Sequence, residues 1–220
     1  GGNMKKLLLA VIVSLSTIST AALAEIKVGI ILGFTGPIES LTPAMRDGAK
    51  LAFQEASDSG NLLGGETFTI LEADSTCVDA AAATAAAEGL VADGVAAIMG
   101  ADCSGVTKAI NASVAVPNGI LMVSPSATSP ALSKVPDAGT FWRTAPSDAK
   151  GGQILAQIAL DRGLTSVAIT YENSDYGKGL SEVFAAAFAA GGGTVTTNDP
   201  HENGKGDYSA EVGVLASAGG

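Results

Sequence analysis

Three features of this chain predict an α/β fold with parallel sheets. Short apolar runs alternate with helix-length segments from one end to the other, the rhythm of strands joined by helical crossovers. The runs Val95–Gly100 and Gly119–Ser124 are apolar at nearly every position, as strands covered on both faces are. Each run empties into a loop of small hydroxyl residues: Ser104 and Thr107 after the first, Ser124, Ser126, Thr128 and Ser129 after the second. Ligands of open α/β sheets sit outside the carboxyl ends of the strands. Apart from Asp102, these loops carry no acid, base or metal ligand. They suit a site that holds a polar molecule and does not cut it.

The elements follow in order. Met4-Lys5-Lys6, the apolar run Leu7–Val13 and the small-residue site Ala22-Leu23-Ala24 make residues 1–24 a secretory signal peptide. Gly1-Gly2-Asn3 precede the start Met4 and are read as extraneous. A membrane anchor is disfavoured because Ser14, Ser16, Thr17, Ser19 and Thr20 interrupt the segment. No cysteine follows the cleavage site, so lipid attachment is not expected.

Ile26–Leu32 reads as a strand. Leu41–Ser57 reads as a helix with Leu41, Ala44, Met45, Ala49, Ala52 and Phe53 available for its buried face. Strand Glu66–Asp74, the Ala-rich helix Asp79–Ala92, strand Val95–Gly100, helix Ser104–Val114 and strand Gly119–Ser124 complete a first unit. Asp79 and Ser104 are the expected N-caps, and Gly94 a helix stop. Ser129–Ala149 then loses any clear period, apart from a short extended piece, Thr140–Thr144, containing Trp142. The rhythm restarts with helix Lys150–Arg162, strand Ser166–Tyr171, helix Tyr176–Ala190, strand Thr194–Thr197 and helix Tyr208–Ala218. Gly191-Gly192-Gly193 reads as a helix C-cap. A domain boundary is expected near Thr144–Asp148, giving units 25–145 and 146–220. Two strands with open edges do not form a self-supporting sheet, so the second unit reads as truncated and the chain as the front of a longer protein.

The formal net charge is −10, and −12 once the signal peptide removes Lys5 and Lys6. So acidic a chain, with no basic stripe, argues against nucleic acid or an anionic membrane as partner.

Cys77 and Cys103 each lie just beyond an expected strand. If those strands are neighbours, the thiols come within bonding distance, and export favours a disulfide. Closing that loop would contribute roughly 3–4 kcal/mol in the chain-entropy model. A catalytic Cys103 is the sharper alternative, but it needs a base. The one histidine, His201, falls in a polar turn. One histidine and no Cys-x-x-Cys leave no zinc site to expect. Gly29-x-x-x-Gly33-x-x-Gly36 lacks the dinucleotide spacing, and there is no phosphate-binding G-x-x-x-x-G-K-[ST]. No G-x-S-x-G elbow occurs, and pairing Asp74 with Asp102 as an acid–base couple would need burial that sequence does not reveal. No cofactor is expected. Tyr171 and Tyr176 flank Glu172-Asn173-Ser174-Asp175 at a strand end, where an aromatic ring either closes over a ligand or packs in its own unit.

The matching residues run through almost all of positions 25–220, in order. They are Ile26-Lys27-Val28-Gly29, Thr35-Gly36-Pro37, Asp47-Gly48-Ala49, Asp74 with Cys77, and Gly100 with Cys103-Ser104. Further on come the stretch from Gly119 to Thr128, which contains Ser124-Pro125-Ser126-Ala127-Thr128, then Arg143-Thr144, Asp175-Tyr176-Gly177-Lys178-Gly179 and Gly206-Asp207-Tyr208-Ser209. On these the chain resembles the branched-chain amino acid type of periplasmic solute-binding protein, the type I fold that serves ABC importers.

The resemblance implies two α/β lobes closing over a ligand, each a parallel sheet flanked by helices. It implies Ser104 and Thr128 on the α-carboxylate and α-ammonium of an amino acid. The backbone of Asp102, Ser126 and Ala127 would line the same site, with Tyr176 as a second-lobe contact and Leu41 against the ligand side chain. A helix start at Ser104 would offer N–H groups to a carboxylate. The implied protein is a periplasmic monomer, not a lipoprotein, that meets the permease subunits of a transporter. Amides, urea and aromatic acids are the alternative ligands of this fold, a sensor domain is an alternative role, and a secreted enzyme is a more distant one.

Overall fold

The computed structural model describes residues 25–62 and 64–220; the expected signal peptide lies outside the described residues. Strand β1 (Glu25–Leu32) lies between β2 (Thr67–Asp74) and β3 (Ala97–Gly100), followed by β4 (Leu121–Ser124) and β5 (Phe141–Arg143). All pairs are parallel. Val28 and Ile30–Leu32 are buried because helices cover both faces of this central strand. Helix α1 (Thr42–Asp58) packs on β1 and β2. Helix α2 (Ala80–Ala92) packs against α3 (Ser104–Ile110), over Leu90, Ile98, Val106, Ile110 and Met122. The Asp79 carboxylate caps α2 by accepting from the N–H groups of Ala81 and Ala82, as expected.

The chain order reverses direction beside β1. The link through α1 leads out to β2, and the link through α2 returns across β1 to β3. The crevice between the ends of β1 and β3 is the topological switch point, where such sheets bind ligands.

Several expectations change. Strands β2 and β3 are not neighbours, because β1 separates them. The disulfide Cys77–Cys103 nevertheless forms, with Cα atoms 5.2 Å apart, since the loops after β2 and β3 meet above the end of β1. Gly33 lies beneath this bridge: a Cβ there would stand 3.1 Å from the Cys77 Cβ and 3.3 Å from an Asp102 carboxylate oxygen. The expected helix Ser104–Val114 is α-helical only to Ile110. It widens to a π-helix over Asn111–Ala115 and closes with α4 (Val116–Asn118). Pro117 accounts for this, having no N–H and crowding the preceding turn. Of the expected buried face, Met45, Ala49 and Phe53 turn inward, joined by Thr42, while Ala44, Ala52 and the N-cap Leu41 face solvent.

The extended piece around Trp142 joins the first sheet as β5. Beyond it lie α5 (Asp148–Asp161), β6 (Ser166–Glu172), α6 (Asp175–Ala190), β7 (Thr194–His201) and α7 (Ser209–Ala218). Strands β6 and β7 form a separate parallel pair. β7 runs four residues further than expected, through Pro200, which an edge strand tolerates because one row of its N–H groups needs no partner. His201 therefore ends a strand and does not sit in a turn; its Nδ1 lies 2.8 Å from the Thr170 hydroxyl. Among the described residues no helix is long and apolar enough to cross a membrane.

Candidate functional site

A cleft of about 940 Å³ opens at the carboxyl ends of both sheets. The five-stranded lobe contributes Pro37, Ile38, Leu41 and Met45 after β1, Val78 beside the disulfide, and Ser104, Ser126 and Thr128 after β3 and β4. The two-stranded lobe contributes Glu172, Asn173, Asp175 and Tyr176 after β6, with Glu202 and Asn203 after β7.

The floor is held by buried polar groups that spend their hydrogen bonds on the protein. Asp102 is buried; one carboxylate oxygen accepts from the Gly33 N–H at 2.7 Å. The other accepts from the Ser75 hydroxyl and the Cys103 N–H. Asp74 and Asp102 take their hydrogen bonds from different donors among the described residues. Burial alone would raise the pKa of Asp74, but hydrogen bonds from the Thr35 hydroxyl and the N–H groups of Thr76, Thr35 and Phe34 outweigh this and hold it below the ordinary value. A carboxylate so held favours its ionised form, which does not suit the proton-donor half of an acid–base couple. Thr107 and Ser124 are also committed, both donating to the Ala101 carbonyl. The Ser124 hydroxyl in turn accepts from the Ala127 N–H.

Two groups are left for a ligand. Ser104 is only 2 % exposed. Its oxygen accepts from the Ser129 N–H at 3.1 Å, while its own hydrogen finds no acceptor among the described residues. Cys103, not Ser104, occupies the N-cap position; Ser104 is the first helical residue. That one-residue shift frees its hydroxyl from capping and turns it to the β4 loop. Thr128 is half-buried. Its carbonyl accepts from the Asp148 N–H, and neither its hydroxyl nor its N–H has a partner among the described residues.

The remaining expected residues divide. Ser126 lines the cleft, with its hydroxyl donating to the Asp102 carbonyl at 3.0 Å. Leu41 and Tyr176 line it from opposite lobes, both largely exposed. Ala127 does not reach it: the residue is buried, its N–H taken by Ser124 and its carbonyl by Arg143. Arg143 is the support behind the loop. Its guanidinium donates to the carbonyls of Ala127 and Ser129 and to the Ser133 hydroxyl. Burial lowers its pKa against the opposing pull of Asp148. The apolar wall of Pro37, Ile38, Met45 and Val78 was missed, as was Glu202 with Asn203. Met45 carried a signal, one helical turn after Leu41; Glu202 did not, because Pro200 concealed the length of β7.

The lobes meet beside the cleft. Lys108 of α3 and Asp175 of α6 pair at 3.1 Å, and Gly179 lets α6 approach Ser129 and Pro130. Among the described residues the cleft lining includes no lysine, arginine or histidine.

Comparison with known proteins follows the same lines. A family profile described as periplasmic binding protein matches residues 25–219. A Leu/Ile/Val-binding protein of Rhizobium johnstonii is 32% identical over 206 residues, covering 93% of this chain and 55% of that protein. The crystal structure of a leucine binding protein from Thermotoga maritima superposes with a TM-score of 0.74 at 27% identity, over 88% of this chain and 53% of that one. A solute binding protein of R. palustris in complex with 4-hydroxybenzoate shares the fold, with a TM-score of 0.75 at 21% identity, over 89% and 52%. The chain spans about half the length of the curated relatives it matches.

Proposed function

The chain belongs to the periplasmic binding protein family, and from that premise we propose that it is the extracytoplasmic substrate-binding component of an ABC importer, capturing an amino acid with an aliphatic side chain. The relatives it matches are binding proteins and not enzymes. Lobes 25–145 and 146–220 close over the ligand after residues 1–24 direct export, and the loaded protein delivers it to membrane permease subunits.

One observation carries this reading: a buried Ser104 hydroxyl with an uncommitted hydrogen and an uncommitted Thr128 hydroxyl and N–H stand on adjacent strand-end loops, facing an aliphatic wall. A zwitterion leaving water needs both charges met by hydrogen bonds, or its desolvation is not offset. The Ser104 O–H and Thr128 N–H donate to the carboxylate, while the Thr128 hydroxyl accepts from the ammonium. Leu41, Ile38, Met45 and Val78 offer apolar contact to the side chain. Tyr176 covers the ligand from the second lobe.

Calorimetry on the exported protein with leucine, isoleucine, valine, urea and benzoate tests the proposal. Ser104→Ala is expected to weaken amino acid binding by about 1–2 kcal/mol, and Thr128→Val by roughly 2–3 kcal/mol, the scale of hydrogen bonds to charged groups. Parental affinity in both variants would refute the assignment.

A further inference from the structure

We propose that the backbone N–H of Asp148 is a positioning contact for the ligand: through it the second lobe sets the Thr128–Ser129 peptide, and with that peptide both hydroxyl residues of the site. The inference rests on the amino acid reading above and deepens it by naming what couples the lobes to the ligand loop.

Three consecutive carbonyls of that loop are held from behind, and by two different lobes. Arg143 of β5 donates to the carbonyls of Ala127 at 3.1 Å and Ser129 at 2.9 Å. The carbonyl between them, that of Thr128, accepts from the Asp148 N–H at 3.0 Å, and Asp148 is the first residue of α5. The other end of the same peptide, the Ser129 N–H, donates to the Ser104 hydroxyl at 3.1 Å. A peptide unit is planar, so turning its carbonyl turns its N–H. This unit therefore links the start of α5 to Ser104, with the Thr128 side chain on the Cα beside it.

Asp148 belongs to the body that carries Tyr176. Gly152, one turn along α5, lies close against α6: a Cβ there would stand 2.8 Å from a Val183 methyl carbon and 3.1 Å from the Phe184 nitrogen. Tyr176 is in the first turn of α6. One packed pair of helices thus presents Tyr176 to the cleft and the Asp148 N–H to the loop. Only Thr144–Ser147 separate Arg143 from Asp148, and Pro146 fixes one φ among them. So short a crossing takes up lobe rotation in few torsions. Rotation of the helix pair then reorients the Asp148 N–H against a loop that Arg143 keeps in place. Such coupling is reciprocal: a ligand that fixes Thr128 tightens the Asp148 contact by the factor that the contact tightens the ligand.

Amide hydrogen exchange and calorimetry on the exported protein, with L-leucine as probe, test the coupling. In the parent, saturating leucine should slow exchange at Asp148 about fivefold more than at Ala149. The Ala149 N–H is the next amide, held by the Ser147 hydroxyl and not by the loop. Asp148→Ala keeps the N–H at this position. Lactate in place of that alanine makes the link from Ser147 an ester and removes the N–H at constant shape. The ester protein should bind leucine about fivefold more weakly than Asp148→Ala, the loss of one hydrogen bond, and exchange its Ser129 amide faster without ligand. Equal leucine affinity in those two proteins, or equal slowing at Asp148 and Ala149, overturns the positioning role and leaves the amino acid reading standing. A parent indifferent to leucine overturns the amino acid reading; faster Ser129 exchange in the ester protein then still supports the peptide link, and unchanged exchange overturns that too.

Discussion

The two lobes use the same elements and reach very different burial. In the five-stranded lobe, Ile30, Ile31, Leu32, Ile98 and Met122 are sealed between helical layers, and the core cluster runs unbroken from Ile31 to Phe141. In the two-stranded lobe the buried apolar residues are Ala156 and Phe188, while Ile154, Leu155, Ile158, Leu164, Val212 and Val214 stay exposed. There, α5 and α6 pack mainly on each other, with Phe184 and Phe188 stacked at 5.7 Å. Two strands offer too little surface to cover the helices that flank them. Ser104 and Thr128 are fixed by a dense core, an Arg143 brace and a disulfide; Tyr176, Glu172 and Glu202 stand beside two strands whose flanking helices, among the described residues, keep apolar faces open.

The strongest way to break this contrast is one kind of substitution made in both lobes. Ile98 is 1 % exposed and Ile158 is 41 % exposed. Ile98→Ala should cost roughly 3–4 kcal/mol through lost burial and a cavity. Ile158→Ala should cost less than about 1 kcal/mol. Urea unfolding followed by the fluorescence of Trp142, which lies on β5 of the first lobe, measures the former, and amide exchange across α5 the latter. Comparable losses would mean that the face of α5 is covered in solution and the lobes are equally consolidated.

Removing the disulfide comes next. Cys77 and Cys103 are 26 residues apart, a loop whose closure is worth roughly 3–4 kcal/mol. Replacing both by serine should lower the first lobe's unfolding free energy by that amount and leave exchange in β6 and β7 unaltered. It should also weaken leucine binding, because the bridge holds the loop that carries Ser104. A loss shared equally by both lobes would show that they unfold as one unit.

The alternation of strands and helices was legible because apolar runs and an Asp79 cap are local signals. The cysteine pairing was legible too, but its geometric premise failed: sheet order is a tertiary property, and no local pattern says that β1 lies between β2 and β3. Pro200 and Pro117 misled in opposite ways. The first read as a strand end although an edge strand tolerates it, and the second left no visible mark on the helix that it widens upstream. That Ser104, Ser126 and Thr128 line the cleft was legible because strand ends with hydroxyls are readable. Ala127 was misplaced because which side of a loop faces a cleft depends on Arg143 and Ser124, partners remote in sequence. Glu202 required knowing how far β7 extends.

The smallest expected effect sits on the seam between the lobes. Lys108 belongs to the five-stranded lobe and Asp175 to the two-stranded one, and their side chains are 51 % and 39 % exposed. An ion pair so open to solvent contributes on the order of 0.5 kcal/mol and is screened by salt. The first lobe, braced by its own core, gains nothing measurable from it. The first turn of α6 gains what little there is, because few other contacts hold that turn against α3. Lys108→Met should therefore raise amide exchange at Gly177–Gly179 about twofold at low salt. Amides of β3 should be unaffected, and near 0.5 M salt the parent should exchange like the variant. Slower exchange in β3 of the parent alone would place the pair's contribution in the five-stranded lobe. Unchanged exchange at Gly177–Gly179 would mean that burial of Gly179 against Ser129 and Pro130 already holds the lobes together without the charge.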